Sequence, residues 1–110
     1  MSSSIIALLK KDQLTDENYA TWKSKLNMIL VIVDLLFVLM EEGPPFPTQY
    51  ASQSVKDAYV RWTKANDKAH LYIMASMSDI LSKKHEIMVT ARQIMDTLRE
   101  MFGQLSIQIK

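Results

Sequence analysis

The chain has 110 residues, 48 % of them hydrophobic and 23 % charged, with 13 Lys and Arg against 12 Asp and Glu. That length supports one modest core and is too short for two ordinary domains, and a net charge of +1 gives no global attraction to nucleic acid or to an anionic membrane. The absence of cysteine excludes disulfides, Cys-ligated zinc and thiol nucleophiles, and agrees with an intracellular protein.

Leu, Ile, Val and Phe together account for 31 of the 110 residues, well above the roughly 20 % that accompanies intrinsic disorder, so the chain should fold. Four of its five Gly and Pro residues fall in Gly43-Pro44-Pro45-Phe46-Pro47, and the fifth is Gly103. A β-sandwich needs turn signals every ~8–12 residues, and a dinucleotide or phosphate loop needs glycines after a first strand. Neither pattern is present, and the composition favours an all-α fold.

Residues 1–14 read as a polar-then-apolar lead-in whose charges follow the apolar stretch, the reverse of a secretory signal. Ser2 follows the initiator where N-myristoylation requires glycine. Within Thr15-Asp16-Glu17-Asn18, Asp16 or Asn18 is the expected helix cap. Tyr19, Trp22, Leu26, Ile29, Leu30 and Val33 then recur at helical spacing, predicting a helix over 18–33 with Lys23, Lys25 and Asn27 off its apolar face. The apolar stretch Met28–Met40 spans 13 residues and contains Asp34, whereas a membrane-spanning helix needs about 20. Its second half, Leu35 to Met40, reads as a short helix or extended turn.

Residues 41–53 form the expected loop, since Pro44, Pro45 and Pro47 remove backbone donors and force extended or turn conformations. Ser54-Val55-Lys56-Asp57 has the form of a capping box, and Val55, Tyr59, Trp62, Ala65, Ala69, Ile73 and Met77 continue one stripe, predicting a helix over 54–77. Residues 78–85 read as a short helical turn. Thr90 is placed to cap a further helix with an apolar face of Ala91, Ile94, Met95, Leu98, Met101 and Phe102, ended by Gly103 as a left-handed terminator. Ser106 could cap one more helix, and the C-terminus looks cut.

No constellation for catalysis stands out. His85-Glu86 opens like a zinc-protease motif, but Val89 occupies the position of the second ligand, and both His70 and His85 read as surface or boundary residues. No Gly-x-Ser-x-Gly element positions a serine nucleophile, and Glu41-Glu42 reads as a solvated loop edge. Enzyme activity, metal, cofactor and small-molecule substrate are therefore not expected. The basic residues Lys10, Lys11, Lys23, Lys25, Lys83, Lys84, Arg92 and Arg99 lack the stacking aromatics of a nucleic-acid groove. Trp22 and Trp62 each sit on an apolar helical stripe and read as core aromatics. The eight methionines read as core fillers.

Three pieces in fixed order carry a resemblance: Leu14-Thr15-Asp16-Glu17-Asn18-Tyr19-Ala20-Thr21-Trp22; Trp62 with Asp67 and Ala69 ahead of Ile73; and Thr90 to Leu98 closing on Phe102-Gly103. The set resembles the N-terminal Gag region of copia-type long-terminal-repeat retrotransposons of plants. There Leu-x-Gly-x-Asn-Tyr-x-x-Trp opens the domain and a Thr-Ala-x-x-x-Trp-x-x-Leu helix ends in Phe-Gly. The likeness spans about residues 10–110. Asp16 stands where that family usually has Gly, and Met95 where it often has Trp.

The resemblance implies a small orthogonal bundle of about four to five helices, like a retroviral capsid N-terminal domain, over residues 15–110 after the lead-in at 1–14. It also implies a function: self-association, as a homo-oligomer, into intracellular, cytoplasmic virus-like particles that package the element's RNA. RNA binding would fall to a downstream zinc knuckle, and the chain would be the front part of a longer polyprotein without a membrane partner. The family motif maps onto Leu14, Asn18, Tyr19, Trp22, Trp62, Ala91, Ile94, Met95, Leu98, Phe102 and Gly103. Expected assembly surfaces are the outer side of the first predicted helix (Lys23, Lys25, Asn27) and the loop carrying Pro44, Pro45 and Pro47. The alternative from a different class is a host-adopted, Gag-derived helical adaptor that binds a partner peptide or helix through a Met-rich groove without assembling.

Overall fold

A computed structural model of the chain describes residues 2–103, with side chains from residue 5 onward. The described residues form six α-helices and no strand: α1 (Ser2–Lys11), α2 (Tyr19–Ile32), α3 (Phe37–Met40), α4 (Gln53–Ala75), α5 (Asp79–His85) and α6 (Ala91–Leu98), the last running into a π-helical turn, Arg99–Gly103. The expected cap at Ser106 lies outside the described residues. A radius of gyration of 15.3 Å exceeds the roughly 13 Å of a compact domain of this size, so the bundle is elongated.

The lead-in is the first departure from the sequence reading, because α1 adds a helix there. Its residues Ile5 and Leu9, one turn apart, pack on the core while Lys10 and Lys11 complete its last turn, where cations oppose the helix dipole. The chain then crosses to the end of α4, where Gln13 Nε2 donates to Met77 O at 3.1 Å and a neighbouring carbonyl takes two more donors. Ser76 O, at the C-terminal end of α4, accepts from Leu14 N at 3.0 Å and from the Trp22 indole Nε1 at 3.1 Å. A helix end leaves such carbonyls without intrahelical partners, and here two distant segments supply the donors.

Asn18 occupies the cap position of α2 without capping through its side chain. Its Oδ1 accepts from Thr15 N at 2.7 Å and its Nδ2 donates to Gln13 O at 2.9 Å, so it stiffens the preceding turn instead. At the other end α2 stops without glycine. Asp34 takes the left-handed conformation at φ 60°, Leu35 N bonds back to Leu30 O at 2.7 Å and Asp34 N to Val31 O at 3.1 Å, a Schellman closure with Leu35 buried against the core.

The cap of α4 lies two residues earlier than the expected capping box. Ser52, not Ser54, accepts from Val55 N, and Asp57 instead receives Gln53 Nε2 at 2.9 Å. Thr90 caps α6 as expected, with Gln93 completing the capping box. Asn66, buried in the middle of α4, takes Ala91 N at 2.9 Å and gives Nδ2 to Val89 O at 3.1 Å, docking the start of α6 onto α4. Gly103 is not left-handed. It sits in the π-helical turn, where an added Cβ would lie 3.3 Å from Arg99 Cγ and 3.8 Å from the Tyr19 ring.

The core runs through Leu26 and Leu30 of α2, Val38 of α3, Ile73 of α4, Met77 from the turn after α4, and Ile94 and Leu98 of α6, with Leu9 of α1 in the same cluster. His85, expected at the surface or the boundary, is buried, and its Nδ1 lies 2.8 Å from Leu81 O. His70 remains half-buried with Nε2 3.0 Å from Met88 O.

Candidate functional site

Residues from the two ends of the chain that carry the resemblance meet. Tyr19, at the start of α2, has its ring 6.1 Å from that of Trp22 and stacked at 6.2 Å and 23° on Phe102, from the far end of the chain. Leu14, Ala91, Ile94, Met95 and Leu98 are buried with them, whereas Asn18, Phe102 and Gly103 lie half-buried at the edge. The Tyr19 hydroxyl is buried without a hydrogen-bond partner. Burial pushes its ionisation above the usual 10.0, opposed in part by the nearby Arg99 guanidinium.

Trp62 behaves differently from Trp22. It is half-buried at the boundary of the core, and its indole N–H is enclosed without a partner. The backbone of Gly43 presses on its six-membered ring so closely that a Cβ there would fall 2.7–2.9 Å from three ring carbons. This glycine is required for close approach, since its φ is not left-handed. The same loop is held to α4 by Phe46, whose ring meets that of Tyr59 edge-on at 5.4 Å.

The Gly43–Trp62 stack separates two open concavities. One, of about 610 Å³, is lined by Phe37, Pro44, Ala58, Trp62 and Ala65 with Glu41, Glu42 and Arg61. The other, of about 400 Å³, lies towards α6 and is lined by polar groups including Thr90, Arg92, Gln93 and Asp96. The larger one is an apolar slot with two carboxylates and one guanidinium, within the size range of ligand grooves. Its walls are aromatic, proline and alanine side chains and include no methionine.

Lys23, Lys25 and Asn27 are half-buried flanks of α2. Lys23 Nζ lies 6.0 Å from the Tyr19 ring centroid, and Lys25 reaches Leu8 O at 2.9 Å and Asp12 at 3.3 Å. The outward side of α2 is instead Ala20, Thr21, Ser24, Met28, Val31 and Ile32. In the loop, Pro44 and Pro47 are half-buried and Pro45 is exposed. Ile80, Ile87 and Val89, on α5 and the turn after it, form further exposed apolar surface.

Among the described residues no three His, Asp or Glu side chains are grouped to hold a metal ion, and no helix is long and apolar enough to cross a membrane. Comparison of the chain with protein-family models, curated proteins and solved structures finds no match.

Proposed function

We propose that this chain is a capsid-like structural subunit of the copia Gag type, whose work is homotypic assembly into cytoplasmic particles around the element's RNA. It has no catalytic role in this reading, and RNA is held by a separate, downstream region. The observation that carries the reading is the exposed apolar surface in two separate places, on α2 at Met28, Val31 and Ile32 and around α5 at Ile80, Ile87 and Val89. Monomeric proteins rarely leave contiguous apolar patches uncovered, and a closed or extended lattice needs more than one contact per subunit. The first and last pieces behind the resemblance also meet, through the rings of Tyr19, Trp22 and Phe102, which supports reading those two as parts of one fold signature.

Negative-stain microscopy of the purified chain, alone and extended by the next stretch of its reading frame, tests this over a concentration series. Regular particles or closed oligomers are expected. Featureless monomers for both forms would sink the reading.

A second reading is an adaptor that takes a peptide in the slot beside Trp62. The apolar walls beside Trp62 and the Glu41 and Glu42 carboxylates favour a segment offering an apolar side chain and a cation. Loss of a partner on Trp62→Ala, with the chain monomeric throughout, would select this reading over assembly.

A further inference from the structure

We infer that the outward face of α2 is a two-fold contact surface on which a second copy of this chain docks its own α2 antiparallel. The inference rests on the assembly reading and says which surface makes one of its contacts.

Ala20, Thr21, Ser24, Met28, Val31 and Ile32 fall within ~120° of arc at about 3.6 residues per turn, opposite the buried Trp22, Leu26 and Ile29. Met28, Val31 and Ile32 are 66 %, 55 % and 75 % exposed. No residue of this face carries a charge. The two cations of the helix lie at its flanks and are engaged within the chain, Lys23 over the Tyr19 ring and Lys25 at Leu8 O and Asp12. A solvated helix normally turns its charged side outward, so a 14-residue helix with an uncharged outward face is built to be covered.

The order of side-chain sizes selects the occupant. The N-terminal half of the face is small (Ala20, Thr21, Ser24) and the C-terminal half is large (Met28, Val31, Ile32). An antiparallel copy sets Met28 against Ser24, Val31 against Thr21 and Ile32 against Ala20, all about one two-fold axis at the level of Leu26. Each large side chain then faces a small one, and the surface is its own complement, as a two-fold contact requires. A parallel copy would set Met28 on Met28 and Ser24 on Ser24, a bulge beside a gap. The net charge of +1 adds negligible repulsion between copies. One helix pair buries less than the roughly 1,200 Å² of a stable interface, so this contact alone is weak and reversible, as a lattice contact should be.

The cysteine-free chain allows a direct test by disulfide trapping at high protein concentration. Thr21→Cys/Val31→Cys should form covalent dimers on mild oxidation. Either single variant should not, because its own symmetry mate lies about 15 Å away along the axis, well beyond the roughly 4.4–6.8 Å Cα separation that a disulfide allows. Met28→Glu, folded by circular dichroism, should weaken self-association at least tenfold in sedimentation velocity. Trapping of the single variants as readily as the double would overturn the antiparallel register. Self-association that persists unchanged in Met28→Glu, without trapping, would overturn this surface while leaving assembly standing. A wild-type chain that is monomeric at every concentration would overturn both, and trapped dimers without particles would overturn only the assembly reading.

Discussion

Gly43 and Trp62 are in contact through backbone and ring, with no room for a side chain at position 43: a Cβ would sit 2.7 Å from the indole. This contact clamps the proline loop to α4 and shapes both concavities. Gly43→Ala must push the loop from the ring, at a cost on the order of 1–3 kcal/mol for an overpacked contact. Chemical denaturation should show that loss, and the Trp62 emission should shift to the red. An unchanged melt and spectrum would mean that the loop does not hold this position.

The two tryptophans should separate in energy. Trp22 is buried and its N–H bonds Ser76 O, so Trp22→Ala should cost about 3–5 kcal/mol, the range for a large core side chain. Trp62, half-buried with an unpartnered N–H, should cost less, about 1–2 kcal/mol. Lys23→Ala, which removes only an exposed-side contact with the Tyr19 ring, should stay within about 0.5 kcal/mol. Urea titrations of the three variants check this order.

Asp34 holds a left-handed conformation that costs most L-residues roughly 1–2 kcal/mol. Asp34→Gly should therefore stabilise the chain by about 0.5–1 kcal/mol, offset in part by the entropy of glycine in the unfolded state. A rise in melting temperature is expected; a fall would show that the Asp34 side chain contributes something the closure of α2 does not explain.

Tyr19 gives a pH dependence with a definite direction. Its folded-state ionisation is raised above 10.0 by burial, so both folded and unfolded chains keep the phenol neutral below that value. Above it the unfolded chain ionises first, and stability falls as pH rises through the folded-state value. Tyr19→Phe should leave stability at pH 7 unchanged or slightly higher, because it removes a buried hydroxyl that has no partner. It should also flatten the alkaline loss. Denaturation midpoints between pH 7 and 11 for both proteins test this.

The helices were legible because their apolar residues keep helical spacing. The Tyr19–Val33 and Val55–Met77 stripes match α2 and α4 within two residues at every end, and Thr90 with Gln93 marks the start of α6. What escaped the sequence depends on residues that meet across long separations. Nothing near Gly43 points to Trp62, and nothing in Asn66 announces that it will hold Ala91 N. Helix α1 was missed because Ser2-Ser3-Ser4 is a weak helix-forming start and only Ile5 and Leu9 mark its inner side. The capping box at Ser54 lost to Ser52 because both offer a hydroxyl near the same amides, a choice that local pattern does not make. The uncharged face of α2 follows from the spacing of Ser24, Met28 and Val31, since Lys23 and Lys25 fall on the flanks.

Homotypic assembly is read out by light scattering of the purified chain over a wide concentration range. A weight-average mass that climbs above the 12.7 kDa of one chain as concentration rises is expected, with the climb reduced by Met28→Glu. A mass that stays at one chain throughout, for this chain and for one extended at its C-terminus, would contradict it.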